Sequence, residues 1–216
     1  MPIPQRVLFI HGLESGVGGG KHRFLARHYP DVECVDMSMS LLNLRKSNGI
    51  LRNVLVHAAS TAPWNLLKVA VQASLDGCLA AQREALRSTS SLQGVVVASS
   101  WGGAVALLAL ARGDWRGPTV LIAPAYAVAT SRAGVYDASY EPHALYAAIA
   151  ERLGDDGLRQ VVIVHGTADT VVDIAYSREL AVATGIALVE IEGGDHSMKC
   201  LLQGDALKNL VAKVCA

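Results

Sequence analysis

Short apolar runs, broken by glycine, proline and small polar clusters, recur along the chain, with longer stretches of helical spacing between them. The runs are residues 6–10 (RVLFI), 32–37 (VECVDM), 95–97 (VVV), 119–123 (TVLIA), 160–164 (QVVIV) and 187–191 (ALVEI). Most lack the apolar–polar alternation of a strand with one wet face. They therefore predict strands buried on both faces, the habit of a parallel sheet. Helical spacing is clearest at 64–87, where Leu67, Val71, Ser74, Leu75, Cys78, Leu79, Gln82 and Leu86 share one stripe. Further helices are expected at 22–28, from 101 towards Arg112, at 142–153, at 174–184 and as a closing helix at 198–214, whereas 88–91 and 112–118 read as turns. Residues 38–63 carry the weakest pattern: isolated helical fragments and a basic cluster, Arg45, Lys46 and Arg52, that reads as a solvated face. Residues 126–157 form a lid-like connection with one helical piece, shorter than a cap domain and longer than a plain crossover. Its tyrosines, Tyr126, Tyr136 and Tyr140, either cover the core or wall a substrate pocket. Strands alternating with helices predict a three-layer α/β/α sandwich around a mainly parallel sheet. Right-handed crossovers then place every strand's carboxyl end on one rim.

Composition narrows the function classes. At 216 residues, 51% hydrophobic and 18% charged, the chain is long and apolar enough for one domain, 1–216, with a sizeable core. Lys plus Arg equals Asp plus Glu at 19 each, which gives no support for nucleic-acid binding. Four cysteines, Cys34, Cys78, Cys200 and Cys215, are scattered without C-x-x-C or metal-ligand spacing and read as reduced thiols of a cytoplasmic protein. The opening MPIPQR passes straight into the first apolar run, without the pattern of a secretory signal. The uncharged run 92–111 has the length of a membrane span, but Ser-Ser-Trp-Gly-Gly interrupts it midway and its first part is β-branched, so no span is expected.

Two glycine-bearing turns hold the candidate chemistry. The first, HGLESG at 11–16, sits at the end of the first apolar run and continues as GVGGGKH. That continuation imitates two nucleotide motifs and misspells both. G-x-x-x-x-G-K-[ST] would require glycine at Ser15 and Ser or Thr at His22, and G-x-G-x-x-G begun at Gly16 ends on Lys21. The glycines read instead as letting backbone N–H groups approach a ligand. The second turn, Ala98-Ser99-Ser100-Trp101-Gly102, follows the third run. It matches small-x-nucleophile-x-small, a loosened G-x-S-x-G elbow with Ser100 at its centre. Ser99 fails the pattern, because its flanks would be Val97 and Trp101.

Three reactive groups now lie just past strands on one rim: Ser100 after the third strand, Asp169 after the fifth and His196 after the last. A serine hydroxyl is a weak nucleophile near neutral pH and needs an imidazole to take its proton. A carboxylate on the far ring nitrogen fixes the tautomer and stabilises the imidazolium. The developing oxyanion needs preorganised donors, for which the backbone N–H of Trp101 and of Leu13 are the natural candidates. Asp173 is a rival acid but reads as the cap of the helix at 174, and Asp195 is too close to its neighbour His196 to align with it. His11 and His165 read as loop-shaping residues. With no H-x-x-x-H spacing, neither a metal nor a cofactor is expected.

Taken together, FIHGLESG at 9–16, ASSWGG at 98–103, VHGTADTVVD at 164–173 and GGDHSM at 193–198 resemble the α/β-hydrolase superfamily, specifically its small esterase-like members without a large cap. The resemblance implies Ser100 as nucleophile, Asp169 as acid, His196 as base, and Leu13 and Trp101 as oxyanion donors. Ala98 departs from the usual glycine at the start of the elbow but is still small. The chain opens directly on the HG strand, so the resemblance implies about six parallel strands, without the first strands of the superfamily's sheet. The expected activity is that of a serine hydrolase cleaving a small carboxylic ester or thioester through an acyl-enzyme, as a monomer or homodimer. The alternatives are a catalytically silent ligand- or protein-binding module on the same fold and an acyltransferase using the same triad.

Overall fold

The apolar runs pair into one sheet. The computed structural model describes residues 4–13, 16–37 and 65–216; Glu14, Ser15, the basic cluster Arg45, Lys46 and Arg52, and Trp64 lie outside them. Strands β1 (Val7–Ile10), β2 (Val32–Glu33), β3 (Val95–Ser99), β4 (Thr119–Ile122), β5 (Val161–Gly166) and β6 (Ala187–Ile191) lie in the order β2-β1-β3-β4-β5-β6. Every neighbouring pair is parallel. Around the sheet pack α1 (Gly20–His28), α2 (Leu66–Ser91), α3 (Trp101–Arg112), α4 (Tyr126–Ala133), α5 (Pro142–Arg159), α6 (Ile174–Thr184) and α7 (Ala206–Val214).

Successive residues of the central strands divide between two apolar clusters. Leu8, Ile10, Val96, Ala98, Leu121 and Ile163 join a cluster with side chains of α2, α3, α5 and α6. Val7, Phe9, Val95, Val97, Val120, Ile122, Val162 and Val164 join the other, with α1 and α7. Both faces are covered, which is why these runs are apolar throughout. The direction of winding explains which helix covers which face. The β1-to-β2 crossover moves one way along the sheet, and every later crossover moves the other. With right-handed crossovers, α1 must lie opposite α2, α3 and α6. The reversal falls between β1 and β3, and a sheet that reverses there leaves a crevice outside the carboxyl ends of those two strands.

Four boundaries differ from the sequence pattern, each for a local reason. The second run pairs only over Val32–Glu33, because Met37 N–H donates to His11 Nε2 (3.1 Å) and the chain crosses the end of β1 instead of extending beside it. Residues 88–91 continue α2 rather than turning: Thr89 is fully buried and its hydroxyl donates to the Ala85 carbonyl (2.7 Å), so its polarity is satisfied inside the helix. The helix stops just beyond, where Gln93 takes φ 50° and a Cβ on Gly94 would sit 2.6 Å from the Arg6 carbonyl oxygen. The closing helix splits into a 3-10 turn, Lys199–Leu202, and α7, with Gly204 at φ 58° between them. The helix at 142 extends to Arg159 by way of Gly154, whose φ of 59° kinks it.

The connection after β4 packs inward. Tyr126 and Tyr140 are buried, the Tyr126 hydroxyl donates to the Tyr140 carbonyl (3.0 Å), and the Tyr140 hydroxyl donates to Asp76 (2.6 Å), which also holds Arg112 (2.6 Å). Tyr136 is exposed.

Leu121 is fully buried at the centre of the sheet. Leu121→Ala should therefore cost about 3 kcal/mol, lost apolar transfer plus an unfilled cavity. Urea unfolding would show this as a lower midpoint with an unchanged slope; a shift below about 1 kcal/mol would mean that the centre of the sheet collapses around the gap.

Candidate active site

Ser100 lies in the one-residue gap between β3 and α3 and takes φ 56°, ψ −117°. For a residue with a Cβ such a conformation costs on the order of 1–3 kcal/mol and persists only where neighbours over-determine it. Its N–H donates to Ile122 O (2.9 Å), and its carbonyl accepts from Ala104 N–H (3.1 Å) and Ala125 N–H (3.0 Å). β4 and the turn after it thus hold the serine in place. The small residue at 102 is required by a neighbouring strand. A Cβ there would lie 2.1 Å from Ile10 O and 2.5 Å from His11 O, so the end of β1 passes directly over the start of α3. A Cβ on Gly12 would reach 3.1 Å from Ser100 Cβ and 3.6 Å from Ser100 Oγ, which places the glycine turn of β1 against the serine.

The three rim groups meet. His196 Nε2 lies 2.9 Å from Ser100 Oγ and His196 Nδ1 lies 2.7 Å from Asp169 Oδ2. The carboxylate can only accept, so Nδ1 carries the ring proton and Nε2 is left to accept from the serine hydroxyl. Asp169 has no exposed side-chain surface, and both of its oxygens are filled. Oδ1 accepts the N–H groups of Val171 (2.8 Å) and Val172 (2.9 Å); Oδ2 accepts His196 Nδ1–H and, at 3.1 Å, His165 Nε2. Burial pushes this carboxyl upward, but the Val172 N–H, the His196 ring and the Val171 N–H together outweigh it and hold the group below its ordinary value.

The loops that carry Asp169 and His196 are joined to each other. Ala168 N–H donates to Gly194 O (3.0 Å), Gly193 N–H to Thr167 Oγ1 (2.9 Å) and Thr167 N–H to Ile191 O (3.0 Å). A Cβ on Gly166 would lie 2.1 Å from Gly194 O, so this approach requires glycine. Asp195 shapes the loop of His196: its Oδ1 accepts from Ser197 Oγ (2.6 Å) and Met198 N–H (3.0 Å). Asp173 caps α6, its carboxylate accepting Ala175 N–H (2.9 Å).

The two other rim histidines are buried and have distinct partners. His11 Nδ1–H donates to Gly12 O (2.8 Å) while Nε2 accepts from Met37, which fixes the shape of the first turn. His165 does more than shape a loop. Its Nε2 faces two acceptors, Asp169 Oδ2 and Val172 O (2.9 Å), so Nε2 carries the proton and Nδ1 accepts from Ser177 Oγ (2.7 Å). Only the spacing of four between His165 and Asp169 hinted at this contact in the sequence.

A cleft of about 470 Å³ opens before Ser100 and His196, at the crevice between the ends of β1 and β3. Phe9, Gly12, Leu13, Lys21, Val171, Lys199 and Leu202 contribute to its wall. None of Tyr126, Tyr136 and Tyr140 contributes to it. Lys21, met in the sequence only as the end of two failed nucleotide motifs, donates from Nζ to Ser197 O at 2.6 Å. Trp101 is the first residue of α3, where a helix N–H has no intrahelical acceptor. Among the described residues there is no cluster of three His, Cys, Asp or Glu suited to a metal ion, and no helix is long and apolar enough to cross a membrane.

Asp169→Asn keeps the size of the acid but turns an NH₂ group or a neutral oxygen toward two ring N–H groups. We expect it to lose about 1–3 kcal/mol of stability at pH 7, the cost of unmatched buried donors. A carboxyl held below its unfolded value stabilises the fold above that value, about 3.9, and the contribution is lost as pH falls through the folded value. The gap between native and variant should therefore narrow below about pH 4. Urea midpoints at pH 7 and in mild acid check this; a gap independent of pH would show that the charge of Asp169 plays no part.

No protein-family model and no curated protein matches the chain. Solved structures do. A Xanthomonas campestris pv. campestris protein assigned as a hydrolase of the alpha/beta superfamily superposes with TM-score 0.60 at 18% identity, covering 97% of this chain and 96% of its own. The ydeN gene product of B. subtilis gives TM-score 0.55 at 17% identity, over 97% of this chain and 98% of its own. The dienelactone hydrolase of Anabaena variabilis ATCC 29413 gives 0.52 at 17% identity, over 97% and 83%. With six parallel strands, helices on both faces and near-complete overlap with these structures, the chain carries the α/β-hydrolase fold.

Proposed function

We propose that the protein is a serine hydrolase that cleaves a small carboxylic ester or thioester through an acyl-enzyme. One observation carries the reading: a serine in a strained backbone conformation whose hydroxyl lies 2.9 Å from an imidazole that is itself 2.7 Å from a buried, fully bonded carboxylate. An unpaired surface histidine would not need this arrangement, and a binding module would not need all three groups.

In this reading Ser100 Oγ attacks the acyl carbon as His196 Nε2 takes its proton, and Asp169 stabilises the resulting imidazolium. The oxygen of the tetrahedral intermediate is received by the backbone N–H groups of Trp101 and Leu13. One of these opens α3, and the other belongs to the glycine turn that borders the cleft. His196 then gives its proton to the departing alkoxide or thiolate, leaving Ser100 acylated. Water enters, His196 takes one of its protons, the hydroxide attacks the acyl carbon, and collapse returns the proton to Ser100 and releases the acid. No step requires a metal or a cofactor. The dienelactone hydrolase among the similar structures is named for a lactone, a cyclic ester, which agrees with this chemistry. The four free cysteines suit a cytoplasmic setting; burial pushes Cys34 and Cys78 up to about 11, so neither offers a competing nucleophile near neutral pH.

The test is intact mass after exposure to a fluorophosphonate, together with turnover of esters of graded acyl length. The native chain should gain a single adduct that Ser100→Ala lacks, and Ser100→Ala should lose at least about 10³-fold in kcat/KM while remaining folded. Retained hydrolysis in that variant, or a folded native chain that takes no adduct, would overturn the assignment.

A further inference from the structure

The wall of the cleft carries two ammonium groups, Lys21 and Lys199, and among the described residues that line it there is no carboxylate. Apart from these lysines and the triad histidine, the lining residues are glycine, serine or apolar. A site for a small neutral ester has no need of two lysines, and burying part of an ammonium costs hydration that a neutral substrate does not replace. We propose that the substrate is an anionic ester, one that carries a free carboxylate in addition to the bond to be cleaved, and that Lys21 and Lys199 receive that carboxylate. This rests on the serine-hydrolase reading of the same cleft.

The positions support the assignment. Lys21 is half-buried in the first turn of α1, and its hydrogen bond among the described residues goes to a neutral acceptor, Ser197 O (2.6 Å), which leaves further N–H donors on the same nitrogen. Ser197 follows the base, so this bond places the ammonium beside His196. Lys199 lies two residues further along the same loop and is exposed at the edge of the cleft. Among the described residues, the field of Asp195 reaches both lysines. Its Oδ1 is taken up by Ser197 Oγ and Met198 N–H, and among the described residues this one carboxylate stands against two ammonium groups. The start of α1 contributes partial charge of the same sign. Burial also holds the Lys21 ammonium below the ordinary lysine value, outweighing the opposite pull of the Asp195 carboxylate.

A purely structural role for Lys21, tying α1 to the base loop, is the competing account, and substrate charge separates the two. The probes are two matched pairs: mono-4-nitrophenyl adipate against 4-nitrophenyl hexanoate, with the charge on the acyl side, and 4-acetoxybenzoate against 4-acetoxybenzamide, with the charge on the leaving group. The measured quantity is the ratio of kcat/KM, anionic over neutral, within each pair. In at least one pair the native protein should favour the anionic ester about tenfold, the scale of one charge-assisted hydrogen bond. The ratio should fall towards one in Lys21→Met/Lys199→Met, chiefly through KM, and survive in Lys21→Arg. It should also fall in the native protein between about 0.02 M and 0.5 M salt, a test that needs no variant to fold. A ratio near one in both pairs, or one that is unchanged by both salt and the double substitution, would overturn the proposal. If both esters turn over through Ser100 without charge preference, only the anionic assignment fails; if neither is cleaved and Ser100 takes no fluorophosphonate, the hydrolase reading fails first.

Discussion

Ser100 holds φ 56° because the neighbouring strand and turn leave its backbone no cheaper arrangement. Its N–H is taken by β4, its carbonyl by Ala125 as well as by the helix it starts, and the end of β1 lies so close over Gly102 that α3 has no room to begin elsewhere. The strain at one residue is thus distributed over three strands. The same contacts that force the serine out of the ordinary backbone regions project its hydroxyl beyond the sheet, where an imidazole from another loop can reach it. Ser99, one residue earlier, is the last residue of β3 and is buried.

Asp169 and His196 meet this geometry from the other side. Neither Asp169 nor His196 lies on an element of regular structure, yet both are as constrained as residues within a strand. Ala168, Gly193 and Thr167 join their loops, and Gly166 permits an approach that any side chain would block. His165 completes the arrangement. By donating to Asp169 Oδ2 while Ser177 donates to its own Nδ1, it connects the acid to α6 and leaves the carboxylate one orientation in which all four donors are matched. Four donors on a buried carboxylate also explain why burial fails to neutralise it: the hydrogen bonds favour the charged form by more than desolvation opposes it.

How much of this could be read from the sequence follows from what each residue responds to. The apolar runs reported the strands because a sheet buried on both faces imposes one demand at every position, and Val, Ile and Leu meet it. The spelling ASSWGG identified the elbow because Gly102 is required by backbone contact, independent of the substrate. Boundaries decided by a single distant partner were not legible. The end of β2 depends on a bond from Met37 to His11, and the end of α2 on where Gly94 meets the chain before β1. Beyond its spacing of four, the contact of His165 with Asp169 left no mark in the sequence for the same reason, since a histidine after a strand reads alike whether it shapes a loop or braces a carboxylate. Tyr126 and Tyr140 could have gone either way on pattern. Tyr126 reaches the Tyr140 carbonyl and Tyr140 reaches Asp76, a partner on a helix 64 residues earlier in the chain, so the choice was made by tertiary contacts.

The balance of charge shows why composition could not describe the cleft. Equal numbers of acidic and basic residues say nothing about their placement. Most of the paired charges sit away from the cleft, as with Arg178 and Glu190 across α6 and β6, or Arg112 and Asp76 between α2 and α3. Lys21 and Lys199 differ because each stands at the rim where strands end, and at Lys21 the loop offers a backbone carbonyl where a carboxylate would have satisfied it. A carbonyl orients an ammonium without cancelling its charge. The bond that fixes Lys21 to the loop of His196 therefore leaves its charge at the wall of the cleft.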